Sequence, residues 1–462
     1  MTSSANVEYT ESSRAVIKYT SGVVHVSVSF ITRYMLSHDT QDARLAGLSL
    51  LVSSQKQTKP LGPRAIRGIQ RHLFALAADA DAGFRGQVVS LIQRLVDRLR
   101  TVTAFLAKSS NEPLASTRGR PLSQYTPASR IKNDGFVSHI NLLSQLHHFA
   151  LECLGPCATY QRHITALRIL EVMVRSGVDG RLSQRAAKNA MTGQPWPFRF
   201  TLFMPPLIRL LQDLLLDAFE DVRHLAMSLL IAAHNAVVPV AASNELHNGS
   251  GGTHSQVGES SPYKIMPLGL FSAIKKRALH SSRADHSDGL ARAQVLLQEA
   301  CVIRQGKNVQ GIIEKNKVQY PFEHELTPND LLKHGIEDFQ YALDVASTDL
   351  GAAVESQPLH VYLQRLRYAS CAFDKITELT KNRSCLQAPS HMLAANAVDE
   401  QKSLPWYYND IVILLERCWE VVKDILCSDA PEGLVLDHVD EELTVDTKSV
   451  LSWAWRALKE AR

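Results

Sequence analysis

Apolar residues along this chain recur three and four positions apart, the spacing that places them on one face of a helix. In DTQDARLAGLSLLV, Arg44 is followed by Leu45, Leu48 and Leu51. In DADAGFRGQVVSLIQRLVDRL, Arg85 is followed by Val88, Leu91, Ile92, Leu95, Val96 and Leu99. In GPCATYQRHITALRILEVM, Arg162 precedes Ile164, Leu167 and Leu170, and in DAFEDVRHLAMSLLIAA, Arg223 precedes Leu225, Leu229 and Ala232. Each stretch predicts an amphipathic helix that opens at a polar turn. Two further stripes run through Leu207, Leu210, Leu211, Leu214 and Leu215, and through Ile411, Leu414, Leu415, Cys418, Val422, Ile425 and Leu426. No stretch alternates with period two, so negligible sheet is expected.

The turns repeat as well. Asp79 stands five residues before Phe84-Arg85, and Asp217 five residues before Val222-Arg223. This Asp-x4-hydrophobic-Arg spacing marks the turn between the two helices of a HEAT repeat. The Asp is expected to cap the second helix or to pair with an Arg of a neighbouring repeat. The first stretch shifts its acid to Asp39 and the third has Pro156 there, so the repeats are degenerate. Asp79, Arg85, Asp217 and Arg223, with Arg44, therefore read as structural residues, and Asp217 and Arg223 are expected to share a charged hydrogen bond. One such unit cannot bury its apolar face alone, which implies stacking. The expected fold is all-α, a HEAT/armadillo-like α-solenoid with long polar loops. The expected organisation is repeats over 1–107, a polar basic loop over 108–135, and HEAT-like repeats over 136–242. A Gly/Ser-rich linker follows over 243–262, then a helical segment with loops over 263–405 and a final helical region over 406–462.

Composition supports a folded chain, with 45% hydrophobic residues. The net charge of +4 is unevenly placed. Of 50 basic residues 27 precede position 240, against 16 of 46 acidic ones, so the first part is +11 and the rest −7. That asymmetry suits a polyanion on one surface, and solvated helix faces account for it equally. Seven cysteines are scattered without a CxxC pair and read as small core residues in a reducing compartment. The N-terminal residues contain no apolar core of a signal peptide. The run Leu225 to Ala242 is broken by His234, Asn235 and Pro239 and reads as a buried helix. No membrane span is expected, and the expected location is cytoplasmic.

Motifs for chemistry are missing. Gly249, Gly251 and Gly252 follow no strand, Gly306-Lys307 lacks the rest of a P-loop, and no zinc-ligand spacing occurs. His147-His148 reads as packing or surface rather than a metal site. No catalytic residue, cofactor, metal or small-molecule substrate is expected. For polyanion contact the candidates are Arg118, Arg120, Arg130 and Lys132, with Tyr125 among them for base stacking, and the run Lys275, Lys276 and Arg277.

Several stretches resemble the THADA family (thyroid adenoma-associated protein and its fungal counterparts). They are DARLAGLSLLVSSQKQTKPL, GFRGQVVSLIQRLVDRLR, LECLGPCATYQRHITALRILEVM, LLERCWEVVKDILCSDAPEG and VLSWAWRALKEA, in the family's order. The last two resemble the opening of the family's conserved central domain, with Pro431, Glu432, Gly433, Trp455, Arg456, Lys459 and Glu460 on its pattern. Residues 243 to about 357 match nothing familiar. The resemblance implies an accessory subunit of a tRNA ribose methyltransferase, directing 2′-O-methylation of the first anticodon-loop nucleotide. The implied partners are a methyltransferase catalytic subunit, which holds the methyl-donor site, and tRNA. Members are much longer, so the resemblance also implies that region 406–462 is that domain cut short.

Two functions remain open: a non-catalytic scaffold for tRNA methylation, or a generic protein-interaction solenoid of the adaptor or transport type with no RNA role. At the C-terminal end, Val450, Leu451, Ala454, Trp455 and Leu458 form the apolar stripe of the last helix. Trp453 and Trp455 cannot share one face. One of them is expected to be left exposed, and the chain to associate through that end.

Overall fold

A computed structural model of the chain describes residues 6–10, 14–19, 22–54, 56, 58–109, 130–182, 186–188, 200–234, 265–281, 283–309, 327–387, 405–427 and 446–462. These residues form fifteen α-helices and three short strands, the all-α helical-repeat class that the periodicity predicts. Two compact units divide the chain: Met1–Leu211 with His224–Tyr263, and Gln212–Arg223 with Lys264–Arg462.

The strands correct one expectation. β1 (Asn6–Thr10), β2 (Arg14–Tyr19) and β3 (Gly22–Ser27) pair antiparallel in the order β1-β2-β3, with Val7 opposite Ile17 and Val16 opposite His25. Their signal is the density of β-branched residues in RAVIKY and GVVHVS, with a short period-two run in Val24-His25-Val26-Ser27-Val28.

The first unit continues as a short helix α1 (Val28–Phe30), a π-turn (Ile31–Met35), α2 (Gln41–Val52), α3 (Pro63–Ala77), α4 (Ala82–Ser109), α5 (Arg130–Cys153) and α6 (Tyr160–Arg175). α7 (Pro205–Asp213) and α8 (Glu220–His234) follow, each divided between the units because Gln212–Arg223 belongs to the second. α2 packs on α4 and α4 on α6, while α3 packs on α5, and from α2 to α6 each helix also meets its neighbour in sequence. That pattern is a two-layer stack of helix pairs, in which the apolar stripe of one pair is covered by the next. The stripe on α4 is buried throughout, from Val88 to Leu99. The four stretches led by an Arg are α2, α4, α6 and α8, and the first three pack in succession, α2 on α4 and α4 on α6. Arg130 and Lys132, assigned to a loop above, lie instead in the first turn of α5.

Close approach sets two positions in this unit. A Cβ on Gly68 of α3 would meet Thr32 Cγ2 at 2.2 Å, so only glycine lets the π-turn seat against α3. Arg98 of α4 is buried and donates to the carbonyls of Leu51, Val52 and Lys59, capping the end of α2.

The second unit contains the turn Leu214–Leu216, α9 (Leu268–Leu279), α10 (Ala284–Val309), α11 (Pro328–Thr348), α12 (Leu350–Ser356), α13 (Leu359–Gln387), α14 (Tyr407–Cys427) and α15 (Thr447–Ala461). Its apolar core joins α11, α13, α14 and α15 through Phe339, Leu343, Leu363, Leu366, Tyr407, Leu414 and Trp453, among others. α10 packs on α9, α11 and α13 and is buried on every side from His286 to Gln298. α11 opens with a reciprocal capping box, Thr327 with Asp330.

Candidate functional site

The repeat turns carry the best-defined polar geometry. Arg85 Nη1 donates to the carbonyls of Asp79 (2.6 Å) and Ala80 (2.7 Å), folding back over the turn that starts α4. Arg223 repeats the contact, donating from Nη1 to Asp217 O at 2.7 Å and Ala218 O at 3.1 Å. The shared spacing thus encodes an Arg that closes its own turn by binding main-chain carbonyls. The Asp carboxylates do separate work. Asp79 accepts from the Asp81 amide, and from Gln41 and Arg44 of the preceding pair at 3.0 and 2.8 Å. Arg44 also lies over the Phe84 ring at 4.7 Å. Asp217 accepts from the Phe219 amide at 2.9 Å. The expected charged bond between Arg223 and the Asp217 carboxylate is therefore corrected. The guanidinium reaches the Asp217 carbonyl, and its carboxylate partner is Asp288 on α10 at 2.5 Å. At the third turn, where Pro156 replaces the acid, Arg162 is exposed and His163 meets Gly155 O at 3.1 Å.

Asp288 is the centre of a buried cluster that the sequence does not reveal. It also accepts from Arg292 at 2.7 Å and from the Tyr368 hydroxyl at 2.8 Å. Burial alone raises the pKa of this carboxyl, but the bonds from Arg292 and Arg223 outweigh burial and hold it below the ordinary range. A second cluster lies nearby, where Lys275 donates to Asp338 at 2.7 Å and Arg365 pairs with the same carboxylate. There too burial opposes the shift, and the charge of Arg365 with the bond from Lys275 lowers the pKa. α10 also places Ser287 against Gln364, and Gln294 against Arg365 and Leu331 O. These groups tie α8, α9, α10, α11 and α13 to one another. Arg292 is a neighbour on the same helix, but Arg223 and Tyr368 lie 65 and 80 positions from Asp288, and Gln364 lies 77 from Ser287, too far for any local pattern to show.

Lys275 is thus drawn into an internal pair, leaving Lys276 and Arg277 as the exposed part of that basic run. Arg118, Arg120 and Tyr125 lie outside the described residues, as do Pro431, Glu432 and Gly433; for Arg130 and Lys132 only the helix is described. On α15, Trp455 and Lys459 are exposed, Arg456 is half-buried, and Glu460 faces Arg367 of α13 at 3.3 Å. His147 is buried edge-on to Phe200, and burial lowers its pKa; His148 is exposed beside Glu152. Cys153 and Cys418 are core residues as expected, whereas Cys157 and Cys371 are exposed. Among the described residues no group of three or more His, Cys, Asp or Glu is placed to hold a metal ion. None of their helices is long and apolar enough to cross a membrane.

Comparison with known proteins gives two matching families. The one described as Trm732, TPR repeats, matches residues 12–224, and the one described as THADA/TRM732, DUF2428, matches residues 407–462. Over 314 residues the chain is 25% identical to a protein of Schizosaccharomyces pombe named tRNA (32-2'-O)-methyltransferase regulator trm732. That alignment covers 66% of this chain and 17% of the relative, so the chain spans a small part of the relative's length. No solved structure matches the chain.

Proposed function

The chain belongs to the THADA/Trm732 family, and from that premise we propose that it is a regulatory, non-catalytic part of a tRNA 2′-O-ribose methylation system. In this reading it is a helical-repeat scaffold that binds a methyltransferase catalytic subunit and tRNA. The observation that carries the proposal is the likeness to the fission-yeast regulator over 66% of the chain. The fold supports it, because stacked helix pairs offer long surfaces for partners. The described polar clusters are engaged in holding helices together. The repeats are read as HEAT-like, on the strength of the Arg85 and Arg223 turn contacts. The proposed setting is the cytoplasm.

The test is a tagged chain purified from cells, with retained protein identified by mass spectrometry and retained RNA by sequencing. The expected result is a methyltransferase subunit together with tRNA. The chain alone, given S-adenosylmethionine, should leave tRNA unmethylated, and adding the co-purified subunit should produce ribose methylation in the anticodon loop. Retention of protein partners with no RNA and no methyltransferase would favour an adaptor instead. Methyl transfer by the isolated chain would refute the scaffold reading.

A further inference from the structure

α3 displays a row of arginines that the described structure leaves without acidic partners. Arg64, Arg67 and Arg71 are all exposed on this 15-residue helix, spaced i, i+3 and i+7. Arg67 makes one long contact of 3.4 Å to the Pro63 carbonyl of its own turn. α3 contains no acidic residue. On the neighbouring α5 the described acid, Glu152, faces His148, and at the turn after α3 Asp79 is bound by Arg44 and Gln41. Elsewhere in the same unit exposed arginines do find acids, as Arg168 and Arg175 find Glu171. Like charges at helical neighbour spacing repel, and Arg64 and Arg67 also sit at the positive end of the helix dipole. An external polyanion relieves both.

A second feature lies alongside. The contact of Thr32 with Gly68 seats the π-turn against the middle of α3, between Arg64 and Arg71 in sequence. That segment presents exposed Arg33 and the pair Phe30 and Tyr34, whose rings lie 5.3 Å apart and are 50% and 62% exposed. Cations beside solvent-facing aromatic rings are what a nucleic-acid strand requires, phosphates on the former and bases on the latter. α3 rises about 10 Å between Arg64 and Arg71, enough to meet two or three successive phosphates.

We infer that α3 and the preceding π-turn form an RNA-backbone contact surface, with Arg64, Arg67 and Arg71 on phosphates and Phe30 and Tyr34 beside the bases. The inference rests on the tRNA reading above and assigns it a location apart from the basic segments visible in the sequence. The test uses the full 462-residue chain and a fluorescent unmodified tRNA transcript, with anisotropy followed from about 50 to 200 mM salt. The variant R64Q/R67Q/R71Q should bind roughly 10- to 100-fold more weakly, with a log–log salt slope shallower by about 2 to 3. R67Q alone should change the slope by about 1. A charge-matched control, R94Q/R168Q/R175Q on α4 and α6, should bind like the wild type. Circular dichroism and melting should match across all four proteins, since the changes are on the surface. Equal binding by wild type and the α3 triple variant overturns the location while leaving the tRNA reading intact. Equal weakening by both triple variants overturns it too, because charge alone then accounts for binding. A wild type that ignores tRNA but holds polyglutamate through α3 overturns the RNA assignment and the function proposed above.

Discussion

Arg223 shows what one residue does when a repeat spacing is read as chemistry. Its guanidinium joins the Asp217 and Ala218 carbonyls to the Asp288 carboxylate, and it is buried. Removing it leaves Asp288 with Arg292 and Tyr368, so Arg223→Ala should cost about 2–4 kcal/mol. The coupling follows the geometry. A double-mutant cycle of Arg223 with Asp288 should give an interaction energy above about 1 kcal/mol. The Arg223–Asp217 cycle, using alanine at both, should be close to additive, because Asp217→Ala keeps the carbonyl that Arg223 binds. Chemical denaturation of the three single and two double variants, beside the wild type, checks both. A strong Arg223–Asp217 coupling would mean that the side-chain pair forms after all. His360 on α13 gives a second prediction at this scale. It is buried, neither ring nitrogen has a hydrogen-bond partner, and burial, with Arg456 adding to it, pushes its pKa down to about 4. The unfolded chain takes up this proton near pH 6.5, so the native state binds fewer protons below that pH. Stability should therefore fall as pH drops from about 6.5 to about 4, by roughly 3 kcal/mol from this residue alone. His360→Leu should remove that share and raise the melting temperature at pH 5 more than at pH 7.5. His147 and His286, whose pKa values burial also lowers, keep a residual slope. Equal pH profiles for wild type and His360→Leu would contradict the buried, neutral histidine.

At the scale of elements, glycine on a buried helix reports how close two backbones come. On α10, a Cβ on Gly289 would stand 2.5 Å from the Leu215 carbonyl oxygen and 2.7 Å from Leu216 Cδ2. A carbonyl fixed in a turn cannot move aside as a flexible side chain can. Gly289→Ala should cost about 1–3 kcal/mol despite the better helix propensity of alanine. Gly269 on α9 has open space around it, so Gly269→Ala should be neutral or stabilising by up to about 1 kcal/mol. Thermal melts of the two variants measure the contrast, and comparable shifts would mean that α10 does not press on the 214–216 turn. Elements also mark the limit of what the sequence discloses. α2, α4, α6 and α8 were legible because each buries one clean stripe behind a polar turn. α10 was not, because a helix buried on all sides needs no amphipathic pattern. Its core positions hold Ser287, Asp288, Arg292, Gln294 and Gln298, which are acceptable there only because partners on α11 and α13 and Arg223 of α8 engage them. The α3 arginines were open to the same reading in principle, as three cations at helical spacing with no acid between them.

For the whole molecule, two physical routes are open by which copies of the chain would meet. The charge split, +11 before position 240 and −7 after it, favours head-to-tail contact between unlike halves. Apolar exposure favours a different route. On the second unit, Tyr408, Val412, Ile413 and Trp419 of α14 and Leu451 and Trp455 of α15 are exposed side chains, each more than 40% accessible. Their placement also corrects the stripe read from the sequence. The buried face of α15 is Val450, Trp453, Ala454 and Ala457, with Trp453 Nε1 bonded to Gln357 O at 3.0 Å, while Leu451 and Trp455 turn outward. The indole N–H found a carbonyl partner on that side, and one tryptophan was left outside as the helical geometry requires. Six large apolar side chains on two helices outweigh a charge attraction that screens within about 8 Å at physiological salt. Association of the 462-residue chain should therefore persist or strengthen with added sodium sulfate, which favours apolar burial. Sedimentation velocity across salt concentrations reads this directly. Ile413→Lys with Trp455→Arg should shift the chain toward monomer, and acrylamide should quench Trp455 far more than Trp453 in single-tryptophan-to-phenylalanine comparisons. Dissociation on adding salt would instead assign the contact to the unlike halves and leave the apolar face of α14 and α15 without a role in self-association.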